Sequence, residues 1–209
     1  PDLNPLKIPY YHINEKGDRA IVIAKTGAEL YTLHLFAIHG DGSHTLLREI
    51  PSTGYIMAMP SISRDGDTIL WFEDMHNGGV KIFVLKNASK PDSKPVELAY
   101  YRNISDVFLS GDGNWAYVFV WDARVPNQPN DEWEREITFF SHYENGVWSE
   151  MKPLEIDGEI LKWSVADTNY DSTYLKCAGG VVERKGDVFH RIYSTKGPRD
   201  GGFVGSKVS

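Results

Sequence analysis

Apolar positions in this chain cluster in runs of no more than about eight residues, some unbroken and some alternating with polar positions. Each run is stopped by a group of Gly, Pro, Asn or Asp. This pattern predicts short β-strands joined by tight turns, and no ten-residue stretch carries helical periodicity.

The strand-turn-strand signal recurs. It reads Ile62-Ser63-Arg64-Asp65-Gly66-Asp67-Thr68-Ile69-Leu70-Trp71-Phe72, then Leu109-Ser110-Gly111-Asp112-Gly113-Asn114-Trp115-Ala116-Tyr117-Val118-Phe119, with looser copies around Gly17-Asp18 and Asn169-Tyr170-Asp171. Gly17, Gly66 and Gly113 stand 49 and 47 residues apart, and Tyr170 takes the fourth slot 57 residues later. A period of roughly 45 to 50 residues is what one four-stranded propeller blade consumes. Predicted strands are 8–14, 19–24, 29–38 and 44–50 in the first repeat, and 57–63, 68–72, 80–85 and 96–100 in the second. The third gives 105–110, 115–121, 135–143 and 147–153; the fourth gives 161–166, 173–178, 187–195 and 203–208. The expected fold is therefore all-β: a β-propeller with four blades of four antiparallel strands, in a single domain over 1–209. The alternative is a fragment of a larger propeller.

The Asp-Gly pairs have a structural role in this reading. Ser and Asp side chains bond nearby backbone N–H groups while Gly takes the left-handed conformation. The run Ser110-Gly111-Asp112-Gly113-Asn114 lacks the regular carboxylate spacing and closing Glu of a calcium loop. The longer stretch Pro60-Ser61-Ile62-Ser63-Arg64-Asp65-Gly66-Asp67-Thr68-Ile69-Leu70-Trp71-Phe72 resembles the core of the TolB-type, WD-repeat-like propeller blade. What the resemblance implies is architecture, because such blades serve enzymes, lectins, chaperones and adaptors alike. It also implies an exported location, periplasmic or at the cell surface.

Composition narrows the partners. A formal charge of -7 and a pI near 5.5, with no basic stripe to offset them, exclude a nucleic-acid backbone. With 41% hydrophobic residues the chain can bury a core, yet no apolar run approaches the roughly 20 residues of a membrane span. The chain opens at Pro1 without a charged-then-apolar leader, as expected of a processed mature protein or an excised segment. Cys177 stands alone and is expected to be a small buried hydrophobe in a strand.

The candidate site follows from loop lengths. Connections from second to third strand share one face with the blade junctions, which carry Tyr55, Met57, Tyr101, Arg102 and Asn103. Those connections are short in repeat one (25–28) and modest in repeat two (73–79), but swollen in repeat three (122–134). An insertion confined to one face of one blade points to recognition. Trp121, Asp122 and Arg124 enter it, and Trp133 and Glu134 leave it; Trp133 offers a large aromatic surface for a sugar ring or a partner chain. Glu73, Asp74 and His76 from repeat two, with Glu183 and Arg184 from repeat four, are expected on the same face. His34 and His190 are expected in third strands as structural residues. The seven histidines show no metal-ligand spacing, and neither a phosphate loop nor a nucleophile elbow is present. The reading therefore names no catalytic residue, no metal and no cofactor. It gives a non-catalytic binding propeller for a protein or glycan. One alternative is a carbohydrate-active hydrolase or lyase using Glu73, Asp74, Asp122 and Glu134, whose paired carboxyls should lie about 5 to 9 Å apart. Another is a structural propeller of a larger envelope-associated protein.

Overall fold

The structure is a computed structural model that describes residues 10–25, 31–56, 60–75, 78–121, 136–162, 164–177 and 180–194. All regular structure among them is β, in four sheets, and no helix long and apolar enough to cross a membrane occurs there. The chain divides into two compact units, Pro1–Arg102 and Asn103–Ser209.

The first unit holds two sheets. Sheet 1 runs in sequence order through β1 (Tyr10–Ile13), β2 (Arg19–Lys25), β3 (Tyr31–Ile38) and β4 (His44–Pro51), all antiparallel. Sheet 2 repeats the meander with β5 (Ser61–Ile62), β6 (Thr68–Asp74), β7 (Val80–Lys86) and β8 (Val96–Tyr101). Strand alternation sends Ile21, Ile23, Leu33 and Leu35 of sheet 1 into one core with Ile69, Trp71 and Leu85 of sheet 2. Each fully buried side chain of this size contributes about 1.5 to 3 kcal/mol.

In the second unit, sheet 3 holds β9 (Asn103–Leu109), β10 (Trp115–Trp121) and β11 (Ile137–Glu144). Its outer edge is made of two pieces, β12 (Val147–Trp148) and β13 (Lys152–Pro153), where one strand over 147–153 is expected. The break falls at Ser149. Its Oγ accepts the His142 N–H at 3.0 Å, and its carbonyl accepts from Ser141 Oγ at 2.7 Å, replacing regular ladder bonds.

The chain then forms a hairpin, β14 (Glu155–Ile156) and β15 (Glu159–Ile160), before sheet 4. That sheet comprises β16 (Val165–Thr168), β17 (Tyr174–Cys177), β18 (Gly180–Lys185) and β19 (Val188–Ser194). β14 pairs in parallel with β19, so the hairpin covers the outer edge of sheet 4, and Asp157 accepts the Arg191 N–H at 3.0 Å. A covered edge cannot template pairing with another chain. β18 stands where the sequence predicts a connection, which makes 188–194 the fourth strand and puts His190 on it. The reason is composition: of Gly180-Val181-Val182-Glu183-Arg184-Lys185 only Val182 is buried. Cys177 is buried in β17, and burial pushes its thiol up to about 12.

All four sheets open with the same turn. The side-chain oxygen of Asn14, Ser63, Ser110 or Asn169 accepts the backbone N–H five residues on, from Arg19 (2.9 Å), Thr68 (2.9 Å), Trp115 (3.0 Å) and Tyr174 (2.8 Å) respectively. The same four residues pair backbone to backbone with those partners at 2.9 to 3.1 Å. Inside the turn, the residue three positions on takes positive φ: Gly17 (73°), Gly66 (76°), Gly113 (66°) and Ser172 (59°). The fourth slot therefore belongs to Ser172, not to Tyr170. Tyr170 directly follows the capping residue, as Arg64 does in sheet 2. Both carbonyls tie neighbouring turns within their unit: Asn14 Nδ2 donates to Arg64 O, and Asp112 N donates to Tyr170 O, each at 2.7 Å.

These environments separate two glycines. A methyl at Gly66 would overlap Arg19 Cβ and Cγ, whereas Gly17 has open space. Gly17→Ala should cost about 1 kcal/mol from φ alone, and Gly66→Ala roughly 2 to 3 kcal/mol. Equal losses in chemical denaturation would contradict the turn geometry.

Candidate functional site

Five residues separate β2 from β3 and β6 from β7, two separate β17 from β18, and fifteen separate β10 from β11. The long connection leaves at Trp121, the last residue of β10. Its side chain is 47% exposed although the strand before it is almost entirely buried. A β-bulge between Phe119 and Val120 changes the register just before it, and Trp121 then pairs with Asn103. Bulges of this kind re-aim side chains at sheet ends. The connection returns through Glu136, held at φ 73° immediately before β11. A non-glycine residue there costs about 1 to 2 kcal/mol, and such strain gathers at binding loops. Asp122, Arg124, Trp133 and Glu134, together with His76, lie outside the described residues.

Glu73 has an interior role. Ile69, Trp71 and Glu73 share one face of β6, and the carboxylate is 2% exposed. Its Oε2 accepts from Thr53 N (2.9 Å), Thr53 Oγ1 (2.8 Å) and Gly54 N (3.0 Å), while Oε1 accepts from Trp71 Nε1 (2.9 Å). Four donors satisfy the buried charge and fix the segment that follows β4 against the end of β6. Tyr55 and Asp74 exchange backbone bonds at 2.9 and 2.8 Å beside it, and any side chain at Gly54 would strike the Asp74 carbonyl. Asp74 itself ends β6 half-buried.

Arg184 is also bound internally. Its guanidinium donates to the carbonyls of Ser172 (2.9 Å), Asp171 (2.9 Å) and Gly186 (3.1 Å) and lies 3.9 Å from the centroid of the Trp115 ring. Trp115 starts β10 and Trp121 ends it, a span of about 20 Å. Arg184 thus sits at the turn end of its unit and Trp121 at the opposite end.

The second unit carries a shallow, open cleft with a volume of about 10 Å³, lined in part by Asp106, Phe108, Tyr117, Thr138 and Val165. Ligand pockets usually enclose about 300 to 1,000 Å³, so the cleft holds no substrate of sugar-oligomer size. Asp106 is exposed on β9, yet partial desolvation by its neighbours pushes the carboxyl above its ordinary range, against the Val107 N–H that it accepts at 2.9 Å. Among the described residues no group of three or more His, Cys, Asp and Glu is placed to hold a metal ion.

No protein-family profile matches this chain, and no curated protein matches it. Solved structures do. Oligogalacturonate lyase in complex with manganese is similar at a TM-score of 0.51 and 7% identity, over 88% of this chain and 52% of that one. Hydrazine synthase from Kuenenia stuttgartiensis gives 0.50 and 15%, over 83% and 51%. TolB from Acinetobacter baumannii gives 0.48 and 12%, over 85% and 38%. The fold is propeller-like. Sequential four-stranded meanders are the modules from which propeller blades are built. At these identities the likeness extends to fold alone, and the chain spans about half the length, or less, of each of these structures.

Two outcomes follow from the carboxylates. Glu73→Ala should cost about 3 to 5 kcal/mol in chemical denaturation, because four donors lose their acceptor in a dry site; a loss below about 1 kcal/mol would contradict the clamp. Asp106 has a folded-state pKa above its unfolded value, so its ionisation costs stability as pH rises through the carboxylate range. Asp106→Asn keeps the acceptor for Val107, and should raise thermal stability at pH 7 with a gain that vanishes in acid. A gain that persists at low pH would contradict the desolvation.

Proposed function

We propose that this chain is a non-catalytic binding module that recognises a protein or a glycan through the end of sheet 3 where residues 121–136 depart and return. The observation that carries the reading is Trp121: an aromatic ring left half in solvent at the mouth of the longest connection between described strands. Large aromatic surfaces of this kind are the usual anchors of binding interfaces. Asp122, Arg124, Trp133 and Glu134 belong to the same connection by sequence and are of the polar and aromatic types that recognition uses. In this reading the sheets are blades of a propeller, and the module is exported, as the motif resemblance implies.

Carboxylate-pair hydrolysis is the weaker reading. Glu73 would have to act on a substrate while its carboxylate accepts from four structural donors, and the cleft beside Asp106 is too small for a sugar chain. A purely scaffolding propeller leaves the asymmetry in connection lengths without a purpose.

The test is a glycan array and a panel of defined immobilised proteins, probed with the wild-type chain, Trp121→Ala, Trp133→Ala and a deletion of 125–132. A ligand bound by the wild type should lose at least about tenfold in affinity in each variant, at unchanged melting temperature. Full affinity after the deletion would overturn the assignment of this face.

A further inference from the structure

Asp106, Phe119 and Trp121 leave sheet 3 on one face. Asp106 is the cross-strand partner of Phe119, and directly opposed residues project to the same side of a sheet. The bulge residue is Ser105 on β9, because Asp106 pairs with Phe119 and Ile104 with Val120. β10 keeps its alternation, so Trp121 follows Phe119 at spacing two. Positions in this diagonal relation lie about 7 to 8 Å apart, close enough for one long side chain to touch both. Asp106 is exposed, Phe119 half-buried and Trp121 half in solvent, so a partner can reach all three.

The Asp106 carboxylate lacks a counter-charge. It accepts the Val107 N–H and has no ion pair among the described residues, whereas Asp187 in the same unit lies 3.4 Å from both Lys152 Nζ and His142 Nδ1. A carboxylate partly stripped of water with no cation beside it costs stability, and groups of this kind gather where a ligand completes the site. We infer, on the reading that this end of sheet 3 is the recognition face, that Asp106 and Trp121 together seat a lysine or arginine side chain of a partner protein. Its stem lies along the aromatic rings and its charged head bonds the carboxylate. A sugar hydroxyl could donate to Asp106 but would leave the negative charge uncompensated. Charge complementarity extends past the contact: residues 122–136 contain five acidic residues against two arginines, in a chain of net charge -7. A basic segment is therefore drawn to this face before it docks.

An array of random-sequence peptides, probed beside the glycan array with the full chain, tests the assignment. The peptides bound should contain Lys or Arg, and replacing that residue by Gln should lower affinity at least about tenfold. Asp106→Asn and Trp121→Ala should each produce a loss of the same order. Unfolding cannot account for the first, since Asp106→Asn is expected to melt higher at pH 7. Asp92→Asn removes an equal charge from the exposed β7–β8 connection and should bind as the wild type does. Binding of no peptide, indifference to the Lys or Arg replacement, or Asp106→Asn no weaker than Asp92→Asn would overturn the inference. Neutral glycans bound in a Trp121-dependent way, with peptides ignored, would overturn it while leaving the recognition face in place; ligands indifferent to both Trp121→Ala and the deletion of 125–132 would remove the face itself.

Discussion

A single hydrogen bond organises each sheet: the side-chain oxygen that ends the first strand accepts the N–H of the residue that begins the second. Ser63 and Ser110 are fully buried, so an unpaired N–H at Thr68 or Trp115 would pay the whole cost of desolvation. With this bond made, two strands leave the turn in fixed register and every side chain beyond it is assigned to a face. Trp71 and Trp115 enter their cores because of that register, and Trp121 emerges at the other end of β10. The carbonyl after the cap extends the constraint sideways, from Arg64 to Asn14 in one unit and from Tyr170 to Asp112 in the other.

The turns were legible in the sequence where glycine marks them and misplaced where it does not. Gly66 and Gly113 lead directly to the strands around them. In the last sheet the same backbone conformation is borne by Ser172, so a search for Gly aligns Tyr170 instead. The better signal is the capping residue, Asn or Ser, with its Asp two positions on in three of the four turns. β18 is hidden for another reason: an inner position in a meander supplies hydrogen bonds on both edges, and a strand so supported tolerates Glu183, Arg184 and Lys185. The β14–β15 hairpin has no pattern of its own beyond two-residue pieces, and it exists because β19 offers it an edge.

At the candidate site, alternation along β6 carries more information than charge. Glu73 follows Ile69 and Trp71 at spacing two, which points it inward, and the Trp indole two residues before it is one of its donors. Acidity alone suggests a rim residue. Arg184 shows the same confusion of charge with exposure, since its donors are spent on carbonyls and its plane on Trp115. Connection length is the signal that survives: fifteen residues after β10 against five or two at the equivalent connections of the other sheets, with a half-exposed Trp at the point of departure. A rigid, doubly buried sheet carrying one long loop separates scaffold from recognition, which is how loops acquire function without cost to a core.

Amide hydrogen exchange resolved at single residues tests the turn constraint most directly, at Arg19, Thr68, Trp115 and Tyr174. If one side-chain acceptor sets the register of each sheet, all four amides are protected to the same degree as the strand interiors that follow them, including Tyr174 in the turn that lacks glycine. Exchange at the rate of open loops at any of these amides, with the neighbouring strands still protected, would contradict the account.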